Sequence, residues 1–187
     1  MKKQLILASQ SPRRKELLQR CHIPFITEVA DIDETLDPAL SLQEAMEDLA
    51  ERKAGKIFEQ HPDAVVIGAD TIVVLDQKIL GKPHDEQDAF RMLSELSGHT
   101  HQVMTGVCVM SSQKTVRFCD SSDVTFYPLS EKEILDYIHT GEPMDKAGAY
   151  GIQGEGSVLI RNIHGDFYSI MGFPVARVYR TLKQFDL

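Results

Sequence analysis

The sequence predicts an α/β protein built on a mixed β-sheet, and three features carry that prediction. Ala64 to Leu75 is a nearly continuous β-branched and apolar run, the pattern of a strand covered on both faces. His101–Met110 and Thr115–Tyr127 flank Ser111-Ser112-Gln113-Lys114, which reads as a long antiparallel hairpin. Between the strand-like stretches lie segments whose apolar residues recur with the 3.6-residue helical period.

Leu5-Ile6-Leu7-Ala8 is a short buried strand running into Ser9-Gln10-Ser11-Pro12, where Ser11 caps a helix and Pro12 takes its first position. That helix runs to about Arg20. Phe25 to Val29 is a second strand, followed by the acidic loop Asp31-Ile32-Asp33-Glu34. Ser41 and Glu44 form a capping box for a long helix with Leu42, Ala45, Met46, Leu49, Ala50, Ala54, Ile57 and Phe58 on its apolar stripe. Asp76-Gln77-Lys78 is a turn before Ile79–Pro83, and Asp85 to Leu96 an amphipathic helix closed by Gly98 in the left-handed position. Ser130 with Glu133 opens another capped helix ending near Thr140-Gly141. Val158 to Ile163 reads as a strand and Ser169 to Leu182 as one final helix.

The 187 residues suit one large domain or two small lobes sharing a cleft, long enough to bury a core without disulfides. Hydrophobic residues at 42% and charged residues at 26% are ordinary globular composition. Apolar runs fall far short of the ~20 residues of a membrane span, and Leu5 to Ala8 is too short for a signal peptide. Cys21, Cys108 and Cys119 form no CxxC and leave an odd number, which points to reduced thiols in a cytoplasm. A net charge of −8 and a pI near 5.3 exclude a duplex-coating nucleic-acid binder, while leaving room for a local basic pocket.

Several residues break their local rules. Arg13-Arg14 puts two cations into the first turn of a helix, where the dipole opposes them at a cost of ~0.3–1 kcal/mol each. A bound phosphate would reverse that sign; the other reading is a solvated basic turn paired with Glu16. Asp70 interrupts Val65–Val74, where a carboxylate must be protonated, paired, or facing a metal or substrate. Gly68 and Ala69 beside it would let a ligand approach the backbone. Asp33-Glu34 is either solvated charge or, beside Asp70, a hard oxygen site for Mg²⁺ or Mn²⁺. Lys53 falls on the apolar stripe of its helix, either snorkelling or reaching a ligand, and Lys82 is fixed between Gly81 and Pro83. The glycine-dense stretch Glu142–Gly154 is a surface turn or a ligand loop in which Gln153 can read a base edge. The histidines show no HExxH or zinc spacing, and neither GxSxG nor a cysteine with a neighbouring base is present.

Four ordered blocks now fall together: Leu5–Arg14, Gly68-Ala69-Asp70-Thr71, Gly81-Lys82-Pro83 and Asp145–Gly154. From about Leu5 to Pro174 they resemble the Maf family of nucleoside triphosphate pyrophosphatases, and most of all its branch acting on dTTP and UTP. The resemblance implies hydrolysis between the α and β phosphates, yielding a nucleoside monophosphate and pyrophosphate. It implies a two-lobed fold similar to the inosine triphosphate pyrophosphatases with a central cleft, a divalent metal, and often a homodimer. By position, Asp70 matches the family's proton acceptor, and Arg13, Thr71 and Gln153 its substrate-specificity positions. Ser9, Arg14, Lys53 and Lys82 fall where members hold phosphates. Asp70, Glu34 and Asp33 are the expected metal ligands, the acidic pair being Asp33-Glu34 where close relatives often carry Glu-Glu. Two alternatives stay open: a nucleotide-binding regulator of cell division, since members are associated with septum inhibition, and a general phosphatase releasing free phosphate.

Overall fold

The computed structural model describes residues 3–187. Their strands are β1 (Leu5–Ala8), β2 (Phe25–Glu28), β3 (Val65–Leu75), β4 (Lys78–Leu80), β5 (Thr100–Met110), β6 (Thr115–Phe126) and β7 (Ile160–His164). The helices are α1 (Pro12–Gln19), α2 (Leu42–Phe58), α3 (Glu86–Leu96), α4 (Glu131–Ile138), α5 (Phe167–Ile170) and α6 (Val175–Leu182), with short 3₁₀ turns before and after residue 150. Strand order is β2-β1-β3-β5-β6-β7, with β4 on β3. β1 runs parallel to β2 and β3, whereas β4 and β7 are antiparallel to their partners, so the sheet is mixed as the sequence predicts. The chain divides into two compact units: residues up to Asp70 with Thr105–Asp120 and Gly172–Leu187, and Thr71–Met104 with Ser121–Met171.

In the first unit, the local signals act as the sequence predicts. Ser11 is extended (φ −66°, ψ 117°), its hydroxyl accepts from the Arg14 N–H, and Pro12 follows. Ser41 and Glu44 satisfy each other's backbone donors at the start of α2. Ile6, Ala8, Ala50, Ala54, Ile57, Ala64, Val66 and Cys108 form one buried cluster.

Gly68 has a different task from the one its sequence context suggests. A Cβ there would lie 2.7 Å from the Ala54 amide nitrogen, so helix backbone fills the space that the sequence offers to a ligand. At Gly106 a Cβ would come within 2.5 Å of the Met46 carbonyl carbon. Two glycines thus let α2 lie directly on β3 and β5, closer than any side chain permits.

In the second unit, β3 and β4 are joined by Asp76 and Gln77, with φ of 46° and 67°. Two consecutive left-handed residues in a two-residue hairpin are the type I′ turn, whose twist matches the strands. The last predicted helix is instead two. Asp166 caps α5 through the Tyr168 and Ser169 amides, and α6 starts after Pro174. Gly172, at φ 103°, and Pro174 cannot continue α5, because the first leaves helical space and the second lacks an N–H. β7 also starts two residues later than the sequence predicts, since Glu155–Leu159 winds as a 3₁₀ helix.

Candidate active site

Strand β3 is fully buried from Val65 to Ala69 and partly accessible at Asp70, Thr71 and Ile72. The apolar run therefore opens where the carboxylate stands. Val66, Gly68 and Asp70 alternate onto one face of the strand, the face that α2 covers. Lys53, on that helix, extends its ammonium to 3.2 Å from the Asp70 carboxylate and 2.7 Å from that of Glu34. It is 8% exposed, so the reading that it snorkels to solvent gives way to a buried ammonium paired with two carboxylates.

Arg14 also approaches Asp70, at 3.6 Å from the same carboxylate oxygen. Its Nε donates to the Gly172 carbonyl at 2.8 Å and its Nη1 to the Ser9 hydroxyl at 3.4 Å, while Ser9 Oγ also accepts from the Ser11 amide at 3.1 Å. Burial lowers the Arg14 pKa, and Asp70 and Glu34 counter it while Arg13 adds to it. Glu16 pairs with Arg20 at 2.8 Å. The arginine pair is thus aimed inward by Arg14, with Arg13 half-buried beside it.

The acidic loop is held from α2 by Arg52, whose guanidinium donates to the carbonyls of Asp33 at 2.5 Å and Thr35 at 2.9 Å and pairs with Asp48 at 2.8 Å. The Asp33 carboxylate turns to the Thr35 hydroxyl and amide, at 2.6 and 2.9 Å, and these bonds hold its pKa below the usual range. Glu34 alone of the acidic pair reaches Lys53. No three His, Cys, Asp or Glu side chains converge among the described residues. Glu34 and Asp70 share the Lys53 ammonium as a neighbour, and carboxylate oxygens are the kind of donor that Mg²⁺ and Mn²⁺ take. The structure does not bring Asp33's carboxylate to that pair.

Ser9, Arg14, Glu34, Lys53 and Asp70 are therefore linked within the first unit. Thr71, Lys82 and Gln153 belong to the second. Thr71 directly follows Asp70 on β3. Lys82 is exposed beyond β4, and the preceding Gly81 carbonyl accepts from the Gly148 amide at 3.0 Å, tying its loop to the glycine-dense one. Gly148 and Ala149 both sit at positive φ, 68° and 59°, with Gly148 packed against Val73. Ala149 is a buried non-glycine residue in left-handed space, a strain that only surrounding packing sustains. Gln153 is exposed at the far end of this loop.

Beneath the loop, Tyr150 and His101 share a 2.8 Å hydrogen bond and pack edge-on with Phe126. Burial raises the Tyr150 pKa and lowers that of His101 to about 4. The unfolded chain takes up this proton near pH 6.5, the folded chain only near 4, so the stabilisation is complete above 6.5 and is lost as pH falls. His101 is expected to withdraw about 3 kcal/mol across that window. His101→Gln, which keeps an acceptor for Tyr150 but no titration there, is expected to flatten the dependence in urea unfolding between pH 7 and 4.5. An unchanged slope would assign it to other groups.

Arg52, Glu142, Tyr137 and His101 are not singled out by the sequence as site-forming. Arg52, Glu142 and Tyr137 meet distant backbone and His101 meets the Tyr150 hydroxyl, contacts for which an isolated arginine, glutamate, tyrosine or histidine carries no distinguishing local signal.

Two solved structures share this architecture. The Ham1 protein of Staphylococcus aureus aligns with a TM-score of 0.56, covering 97% of this chain and 99% of its own at 12% identity. A HAM1 protein from Coxiella burnetii aligns with a TM-score of 0.52, covering 97% and 99% at 14% identity. At such identities the likeness is one of fold, the mixed α/β fold of the Ham1 proteins. The family follows from sequence: the profile described as "Maf-like protein" matches residues 4–185, and the chain belongs to that family. A dTTP/UTP pyrophosphatase of Bacillus velezensis is 54% identical over 187 residues, covering 100% of this chain and 99% of its own. One of Bacillus cereus is 50% identical over 185 residues, covering 99% and 97%. No helix among the described residues is long and apolar enough to cross a membrane.

Proposed function

We propose that this protein hydrolyses nucleoside triphosphates between the α and β phosphates, acting on UTP, dTTP and modified pyrimidine counterparts and so sanitising nucleotide pools. The observation that carries the proposal is the Asp70 carboxylate held by the Lys53 ammonium and the Arg14 guanidinium, at the point where β3 opens. Full-length relatives named dTTP/UTP pyrophosphatase support the substrate class.

Asp70 acts as general base. It takes a proton from the attacking water as an oxygen–phosphorus bond forms, the α–β bridging bond breaks, and pyrophosphate leaves with its electron pair. Arg14, Lys53 and Lys82 neutralise the charge that gathers on the phosphates, with Ser9 fixing the turn that aims Arg14. Arg13, Thr71 and Gln153 select the substrate, Gln153 through the paired donor and acceptor of its amide. A Mg²⁺ or Mn²⁺ ion would be held by Asp70 and Glu34, with Asp33 in the same loop, and would supply charge neutralisation of the triphosphate. We further read the protein as a cytoplasmic homodimer. The three free cysteines are in keeping with the compartment, and the family resemblance suggests the dimer.

The test is ion chromatography of products after incubation with a panel of nucleoside triphosphates and Mg²⁺ or Mn²⁺. Pyrophosphate with UMP or dTMP, abolished by EDTA, is the expected result. Free phosphate as the only inorganic product would make the protein a phosphatase, and tight binding without hydrolysis would make it a regulatory binder.

A further inference from the structure

We propose that Glu142 is a positioning residue: its carboxylate sets the conformation of the 151–156 loop and thereby presents Gln153 for base selection. The inference rests on the reading of Gln153 as a specificity residue. One carboxylate oxygen of Glu142 accepts from the Tyr137 hydroxyl at 2.8 Å and the Gly156 amide at 3.1 Å, and the other from the Glu155 amide at 2.8 Å. Tyr137 Oη in turn accepts from the Gly151 amide at 3.0 Å. Both ends of the segment around Gln153 are thus tied, directly or through Tyr137, to one side chain.

The glycines of the segment follow from this. A Cβ at Gly154 would stand 2.6 Å from the Glu142 carboxyl carbon, and one at Gly151 would stand 2.8 Å from its Oε1. The carboxylate occupies the concave side of the loop, and glycine stands on both sides of Gln153 because the anion is there. The segment is further secured by Lys146, whose ammonium donates to the Glu142 carbonyl at 3.2 Å and pairs with Asp145 at 2.5 Å. Burial opposes ionisation of Glu142, but the Glu155 and Gly156 amides and the Tyr137 hydroxyl outweigh it and hold its pKa below the usual range. An amide at this position keeps the volume but turns one acceptor into a donor facing an N–H or O–H donor, and the three bonds cannot all persist.

Two variants separate this role from a general structural one. Glu142→Gln changes the acceptor set. Gly154→Ala keeps every charge at a position of negative φ (−108°), yet displaces the carboxylate, the movable end of a side chain. In both, steady-state kinetics are expected to show KM for UTP raised about 10-fold and kcat within about 3-fold of wild type. The preference for UTP over ATP is expected to fall by a similar factor, about 10-fold, as is usual when a bidentate contact is misplaced. Hydrogen exchange of the Glu155 and Gly156 amides without nucleotide is expected to accelerate at least 10-fold. Should Glu142→Gln fail to fold, Gly154→Ala carries the test. Unchanged KM, selectivity and exchange in the folded variants would overturn the proposal. A wild-type protein that turns over no nucleotide would instead overturn the reading of the site, and the role in base selection with it.

Discussion

An Asp70→Asn protein is expected to fold and bind nucleotide, yet to turn over at about one-thousandth of the wild-type rate or less, the upper part of the range that a positioned general base supplies. The amide has the same shape and cannot accept the water's proton. Its structural cost is small because Lys53 keeps Glu34 as a partner at 2.7 Å and Arg14 keeps the Gly172 carbonyl at 2.8 Å. Removing the anion beside two cations leaves them with more uncompensated charge toward a triphosphate, so affinity for the metal-free nucleotide is expected to hold or rise. Rapid-quench kinetics under single-turnover conditions, with isothermal titration for binding, check both halves. A rate near wild type would remove Asp70 from its role as base.

The second large effect concerns glycine. Gly68→Ala is expected to destabilise the protein by about 3 kcal/mol, at the upper end of overpacking costs, because its Cβ would meet Ala50 and Ala54 backbone rather than a yielding side chain. Relief requires α2 to lift from β3, and α2 carries Lys53, so activity is expected to fall together with stability. Gly55→Ala, on the same helix with nothing within 4 Å of the new Cβ, is expected to have the opposite sign and stabilise by about 0.5–1 kcal/mol. Urea unfolding of the two variants measures the contrast. A Gly68→Ala protein as stable as wild type would sink the close-contact account.

The helix caps and the strand that opens at Asp70 are legible in the order of residues alone. Ser11, Ser41 and Ser130 each cap a helix by accepting from an amide three residues on, and the apolar stripe of α2 follows its own turn geometry. Such features depend on neighbours within about four residues, which the chain order displays. Asp70 is legible because a carboxylate within a buried strand violates the cost of burying charge, whatever the fold around it. Gly68 misleads for the complementary reason: a missing Cβ announces that something comes close and does not say what.

The sequence by itself determined the α/β class, the caps, the Asp76-Gln77 turn and the set of charged residues that lie where solvated charge is out of place. Only the tertiary structure decided their partners. Arg14 meets a carbonyl 158 residues away, Glu34 rather than Asp33 meets Lys53, and Glu142 gathers amides 13 and 14 residues downstream. Adjacent aspartate and glutamate are nearly equivalent in composition, and the choice between them comes from Arg52 holding the loop carbonyls and Thr35 capturing Asp33. Those are contacts between elements, fixed when α2 settles on two glycines, and no local preference of the chain encodes them.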